Sequence, residues 1–150
     1  MITTTLNRIH EHSPCQDGWE KLLNGLGKTK ADAEPLPFAT IVKINGLDDS
    51  LWCCRVEPQY AKEWRLFAVT CARRVQHLNT DPRVKNTIDA AERYANGQAT
   101  NEELRAAGDA AWAAAWAAAW AAAWAAGDAA CAAEREWQGK EFLRVVTETE

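Results

Sequence analysis

Four tryptophans stand four residues apart in the last third of this 150-residue chain, and three alanines fill each gap between them. They are Trp112, Trp116, Trp120 and Trp124. Alanine supplies 19 of the 28 residues from 106 to 133, and it favours helix because ordering it costs no side-chain torsional freedom. The pattern predicts a long helix that carries no charge from Ala110 to Gly127. We therefore interpret this segment as a packing or recognition surface and not as a site of chemistry.

The tryptophans do not form a straight stripe on such a helix. Each step of four residues overshoots a full turn by about 40°, so the stripe turns by about 120° from the first ring to the last. One interpretation places all four rings in the core. A second places the central rings, Trp116 and Trp120, in a surface that binds another protein, because tryptophan is favoured at interface hot spots. A third is a homodimer formed through the same Ala/Trp helix.

Hydrophobic spacing and turn residues predict an all-α fold, a compact bundle of about five to seven helices around the long Ala/Trp-rich helix. The clearest amphipathic helix runs over 59–78. Leu66 and Val69 lie among cations on its second side, which indicates either packing on both sides or a patch for a partner. Thr100 and Glu103 form a capping box at the start of the long helix. Gly127 either breaks that helix or is a loose point in it, and we expect a continuous or slightly kinked helix.

The length suits a single domain over residues 1–150. Within it we expect an amino-terminal arm over 1–14 and short amphipathic helices over 15–97. The long helix and a last piece, with Gly139 as a point of interruption, then fill 100–146.

The densest group of cations is the basic cluster, made of Arg73, Arg74, His77 and Arg83. One interpretation is a solvated rim that pairs with acidic neighbours such as Glu92. The functional interpretation is a contact site for an acidic partner protein or a nucleic-acid backbone. We take the basic cluster, together with Trp116 and Trp120, as the candidate partner-binding residues.

No pattern in the sequence predicts catalysis, a metal site or a cofactor. Walker, GxSxG, GxGxxG and HExxH motifs are absent from the sequence. His10, His12 and Cys15 form an HxHxxC group, but no fourth zinc ligand is evident and Ser13-Pro14 is typical of a turn. We therefore expect a protein that is not an enzyme.

The charge pattern and the cysteines bear on the partner and the location. A net charge of −4, with a modestly basic middle third between acidic ends, disfavours direct binding of nucleic acid. Five cysteines without a CxxC pair favour reduced thiols. No secretory leader is expected, because Met1–His10 has no basic region followed by an apolar run. No membrane span is expected either, because alanine drives insertion weakly. These patterns together predict a location in the cytoplasm, and the resemblance described next implies that of a bacterial host cell.

Three strings carry a resemblance to a known group. Gly46–Arg55 (GLDDSLWCCR), Arg65–Arg83 (RLFAVTCARRVQHLNTDPR) and Ile88–Thr100 (IDAAERYANGQAT), followed by the Ala/Trp array, resemble a group of phage and prophage proteins. Residues 64–133 are also similar to domains identified as immunity proteins in bacterial genomes. The first resemblance implies an accessory protein that binds and blocks a bacterial host protein or complex, including defence complexes such as CRISPR effectors. The alternative is an immunity protein or antitoxin that neutralises a cognate toxin.

Overall fold

The computed structural model describes residues 1–78, 81–107 and 128–149, and these are predominantly helical, which confirms the all-α fold class. The only strands in these ranges are two antiparallel pairs of residues, β1 (Thr3–Thr4) and β2 (Leu36–Pro37). The helices are α1 (Leu6–Glu11), α2 (Gln16–Leu26), α3 (Phe38–Asn45), α4 (Leu47–Cys53), α5 (Ala61–Val75), α6 (Pro82–Ala95) and α7 (Asp128–Glu148). Residues 101–107 are also helical, and 3₁₀ turns span Cys54–Val56, Pro58–Tyr60 and Gln76–Leu78.

The contacts divide the chain into two compact units. Unit 1 comprises Met1–Tyr60 and Trp137–Glu150, and unit 2 comprises Ala61–Glu136. The single domain predicted from the chain length stays a prediction. So does the continuous long helix, since residues 108–127, with Gly127 among them, lie outside the described residues.

Unit 1 is built around the amino-terminal residues and the second half of α7. Ile2 donates its backbone N–H to the carbonyl of Val146 and accepts one from Phe38. The rings of Phe38 and Phe142 are tilted against each other, with centroids 6.4 Å apart. Both rings are fully buried, as are Ile2 and Val146. Burying a side chain of this size contributes roughly 1.5–3 kcal/mol, so the first residues of the chain are part of this core.

The expectation of an amino-terminal arm over 1–14 requires correction. These residues form β1 and α1, and Ile2, Leu6 and Ile9 are buried. Helix α1 begins because the hydroxyl of Thr5 accepts a hydrogen bond from the backbone of Arg8, which satisfies one of the free N–H groups of the first turn. The buried apolar side chains of this segment anchor it to unit 1.

Two helices of unit 1 end at a glycine with a positive φ. Gly27 ends α2 with a φ of 65°, a left-handed conformation in which a side chain is disfavoured. Gly46 separates α3 from α4 with a φ of 92°. By contrast, Gly139 does not interrupt α7, which runs unbroken from Asp128 to Glu148. The predicted interruption at Gly139 is therefore wrong. One glycine inside this helix of 21 residues lowers the stability of the helix by only about 1 kcal/mol relative to alanine.

In unit 2, α5 packs on α6. Phe67 and Val69 on α5 and Ile88 and Ala90 on α6 are buried. Val69 lies on the side of α5 that also carries the cations, and it is buried. At this position the helix therefore packs on both sides, which was one of the two interpretations of Leu66 and Val69 from the sequence. Pro82 opens α6 after a cap from the Asp81 carboxylate, and proline is well suited to this first position.

The capping box before residues 101–107 is present. Glu103 accepts the N–H of Thr100 at 2.7 Å, and the hydroxyl of Thr100 accepts the N–H of Glu103 at 3.2 Å. This reciprocal pair fixes the start of the helix at the predicted place.

Candidate partner-binding site

The four residues of the basic cluster all lie in unit 2 and are exposed. Arg73 and Arg74 are in the last turn of α5, His77 is in the 3₁₀ turn that follows, and Arg83 is in the first turn of α6. The end of one helix and the start of the next thus place them on one part of the unit.

Arg73 is held between two carboxylates of α6. Its Nη2 donates to Asp89 Oδ1 at 2.8 Å and also to Glu92 Oε2. Asp89 accepts a second hydrogen bond from the ammonium group of Lys85, at 2.8 Å. The pairing of Arg73 with Glu92 is the contact expected for a solvated rim, and it fixes the direction of this guanidinium.

The other members of the cluster also have partners. Arg74 Nε donates to Glu134 Oε2 at 2.8 Å, and the ring of His77 donates from Nδ1 to the Arg74 carbonyl at 3.1 Å. Arg83 bonds the Asp81 carboxylate through both Nε and Nη2, the latter at 2.7 Å. Such a two-point pair fixes the orientation of the guanidinium.

The hydrogen bonds favour the ionised form of two of these carboxylates, those of Asp89 and Asp81. The hydrogen bonds from Lys85 and then from Arg73 lower the pKa of Asp89 below its ordinary 3.8. Hydrogen bonds from Arg83 lower the pKa of Asp81 in the same way. Four cations, Arg73, Arg74, Arg83 and Lys85, are thus paired with four carboxylates, those of Asp81, Asp89, Glu92 and Glu134. Within this set of ion pairs the positive and negative charges balance in number.

A cleft of about 860 Å³ lies beside Arg73. Its lining is rich in amides and charges from α6 and the residues after it: Asn86, Asp89, Glu92, Arg93, Asn96, Gln98 and Glu103. Amide side chains offer both donors and acceptors, so this cleft can match the main chain and polar side chains of a peptide.

The sequence interpretation missed the amides of this cleft. Asn86, Asp89 and Arg93 of α6, and Asn96 directly after it, recur at intervals of three and four residues, which is the spacing of one helix face. In the sequence, this polar spacing is as regular as the apolar spacing of the same helix, and it is the signal that identifies this side of α6.

The two histidines of the HxHxxC group have contacts within unit 1. The ring of His10 packs against Trp19 with centroids 5.2 Å apart, and His12 Nδ1 donates to the Arg8 carbonyl. Over residues 1–78, 81–107 and 128–149, no three histidine, cysteine or acidic side chains are grouped as they would be for a metal ion. None of the helices in the described part of the chain combines the length and apolarity that crossing a membrane requires.

Trp116 and Trp120 lie outside the described residues. Their part in partner binding and the homodimer through the Ala/Trp helix stay predictions.

No family model, curated protein or solved structure matches the chain.

Proposed function

We propose that this chain is a non-enzymatic binding protein that occupies the surface of a bacterial host protein or complex through unit 2. The observation that supports a protein partner is the pairing of every arginine of the basic cluster with a carboxylate of the same unit. A phosphate backbone gains affinity from cations that release its counterions. Here a phosphate would have to displace carboxylates that already hold the cations.

A protein surface of mixed charge suits this arrangement better. It can place carboxylates near the arginines and basic groups near Asp89 and Glu92 without breaking the internal pairs. Complementary charges of this kind determine specificity and association rate, and arginine is enriched at interfaces. The cleft beside Arg73 adds hydrogen-bonding groups to the same surface.

The class of target comes from the resemblance to phage and prophage proteins. A defence complex in the cytoplasm of the infected cell is the leading target, and the chain acts by covering it. Such a role needs no turnover, only an affinity that competes with the target's normal partner.

The proposal is tested by phage plating on isogenic hosts with and without a CRISPR defence system. Expression of the chain is expected to restore plaques only where the defence is active, and the target complex is expected to co-purify with it. Arg74→Glu is expected to abolish both effects. Rescue from a co-expressed toxin, without any effect on plaques, would instead indicate an immunity protein and would refute a defence target.

A charge swap separates a contact role of Arg74 from a structural one. Arg74→Glu combined with Glu134→Arg keeps an internal ion pair but moves the positive charge. If Arg74 contacts the partner, the double variant stays inactive. Recovery of activity in the double variant would show that the pair only supports unit 2. Arg144→Glu, in unit 1, is the matched control and is expected to remain active.

A further inference from the structure

A second pocket, which the basic cluster does not use, lies within unit 1 among α1, α2, α3 and α4. Its volume is about 230 Å³. Apolar side chains form most of its walls, among them Ile9, Trp19, Leu22, Ile41 and Trp52. A cavity of about 150 Å³ with apolar walls already accepts a benzene ring, so this pocket has room for one ring and a short chain.

Two carboxylates, those of Asp48 and Asp49, belong to the same lining, and the described lining residues include no lysine, arginine or histidine. Asn45 holds the Asp49 carboxylate in place. Its Nδ2 donates to Asp49 Oδ2 at 2.7 Å and to the Gly18 carbonyl at 2.8 Å. The acid is therefore fixed before any ligand arrives, which reduces the entropic cost of binding.

Gly18 allows this approach of α4 to α2. A Cβ at this position would lie 3.0 Å from Asp49 Oδ2 and 3.1 Å from Cys15 Sγ. The carboxylate and the exposed thiol of Cys15 thus lie close to the same point on α2, at the pocket.

The aromatic walls also suit a cation. The guanidinium of Arg55 lies 4.7 Å from the centre of the Trp52 ring, which shows that an indole of this pocket already accepts a positive group on one face. Indoles attract cations through the negative charge over the ring.

Cys53 of α4 also belongs to the lining of this pocket. Burial and then the Asp49 carboxylate raise the pKa of the Cys53 thiol to about 12, and Arg55 opposes them with a smaller effect. The Asp49 carboxylate therefore acts on a second group of the same lining.

We propose that this pocket binds a small primary amine whose ammonium group pairs with Asp49 and whose ring packs between Trp19 and Trp52. A neutral or anionic ligand of the same shape lacks the charge that Asp49 recognises. The apolar walls leave little water to screen the pair, which strengthens the interaction.

The test uses 2-phenylethylamine as the probe and 2-phenylethanol as its neutral counterpart of the same shape. Binding to the full chain is measured by isothermal titration calorimetry, and site-resolved mass spectrometry follows the alkylation of Cys15. The amine is expected to bind with a dissociation constant on the order of 1 mM and to slow the alkylation of Cys15. The alcohol is expected to bind at least tenfold more weakly.

Asp49→Asn removes the charge while keeping the shape and the contact with Asn45. It is expected to weaken amine binding at least tenfold and to leave alcohol binding unchanged, which also shows that the pocket is intact. Asp17→Asn removes an acid of α2 outside the lining and is expected to bind the amine as the natural chain does. Equal binding of amine and alcohol, no protection of Cys15, or full amine binding by Asp49→Asn would each overturn the proposal.

Discussion

The fully buried carboxylate of Glu57 lies 2.8 Å from the guanidinium of Arg8, 49 residues earlier in the chain. Arg8 also donates to the Val56 carbonyl at 2.8 Å. One arginine of α1 thus pairs with one oxygen of a buried acid and with a neighbouring backbone carbonyl. A buried carboxylate without its cation costs several kcal/mol, so this pair ties the amino-terminal segment to the rest of unit 1.

Replacing Arg8 with methionine is expected to destabilise the protein by about 2–3 kcal/mol, because Glu57 would stay buried without its cation. Urea denaturation measures the loss. Arg144→Met is the matched control, since Arg144 makes two exposed ion pairs in unit 1, with Glu141 and Glu148. Exposed pairs contribute at most about 1 kcal/mol. Equal losses in the two variants would contradict a special role for the buried pair.

Much of the helical pattern was predictable because local signals determine it. Gly27 and the Asp81-Pro82 pair stand at the ends of helices, and Thr100 and Glu103 form the expected box. Each of these acts within four residues, through backbone conformation or a free N–H group.

The helix near the amino terminus and its burial were not predicted, because the sequence pattern that marks them is short. Thr5 as a cap, followed by Leu6 and Ile9 three residues apart, covers barely one and a half turns. The pairing of Arg8 with Glu57 depends on tertiary contacts between residues far apart in sequence, which periodicity does not reveal.

The site was predicted only in part. The position of Arg73 and its pairing with Glu92 followed from the density of charge on neighbouring helices. The pocket beside Asp49 could not be predicted in this way, because residues from four helices form its walls and Gly18 allows two of those helices to approach closely.

Gly25→Ala is expected to destabilise the chain by roughly 1–3 kcal/mol. A Cβ at Gly25 would overlap Cγ2 of Ile44 and lie 3.1 Å from two further atoms of that side chain. Ile44 is β-branched and has few alternative rotamers. Thermal unfolding followed by circular dichroism measures the effect.

Gly139→Ala, within α7, is expected to change stability in the opposite direction. Among the described residues, no atom outside its chain neighbours and the nearby helix backbone lies within 4 Å of the position that its Cβ would take, and alanine favours helix over glycine by about 1 kcal/mol. This variant is expected to be more stable than the natural chain. Stabilisation by Gly25→Ala as well would show that α2 and α3 are not in close contact at this point.

Lys85→Gln is expected to raise the pKa of Asp89 toward its ordinary 3.8, because the hydrogen bond from Lys85 is the largest cause of its lowered value. Carbon-13 NMR of the carboxyl group follows the titration, and Lys62→Gln, elsewhere in unit 2, is the control. An unchanged Asp89 titration in Lys85→Gln would exclude the contact.

The lowered pKa of Asp89 also makes the free energy of unfolding depend on pH. The carboxylate of Asp89 titrates at a lower pH in the folded chain than in the unfolded one, so its contribution is present above the unfolded value and is lost as the pH falls through the folded value. Acid unfolding of Lys85→Gln is therefore expected to begin at a higher pH than that of Lys62→Gln.

The cysteines of unit 1 are expected to differ sharply in reactivity. Burial raises the pKa of the Cys53 and Cys54 thiols to about 12, so at pH 8 about one molecule in ten thousand carries a thiolate at either position. The thiol of Cys15 is exposed. Iodoacetamide at pH 8 is expected to label Cys15 in the folded chain, and Cys53 and Cys54 only after unfolding in urea. Peptide mass spectrometry locates the label, and labelling of Cys53 at the rate of Cys15 without urea would contradict its burial.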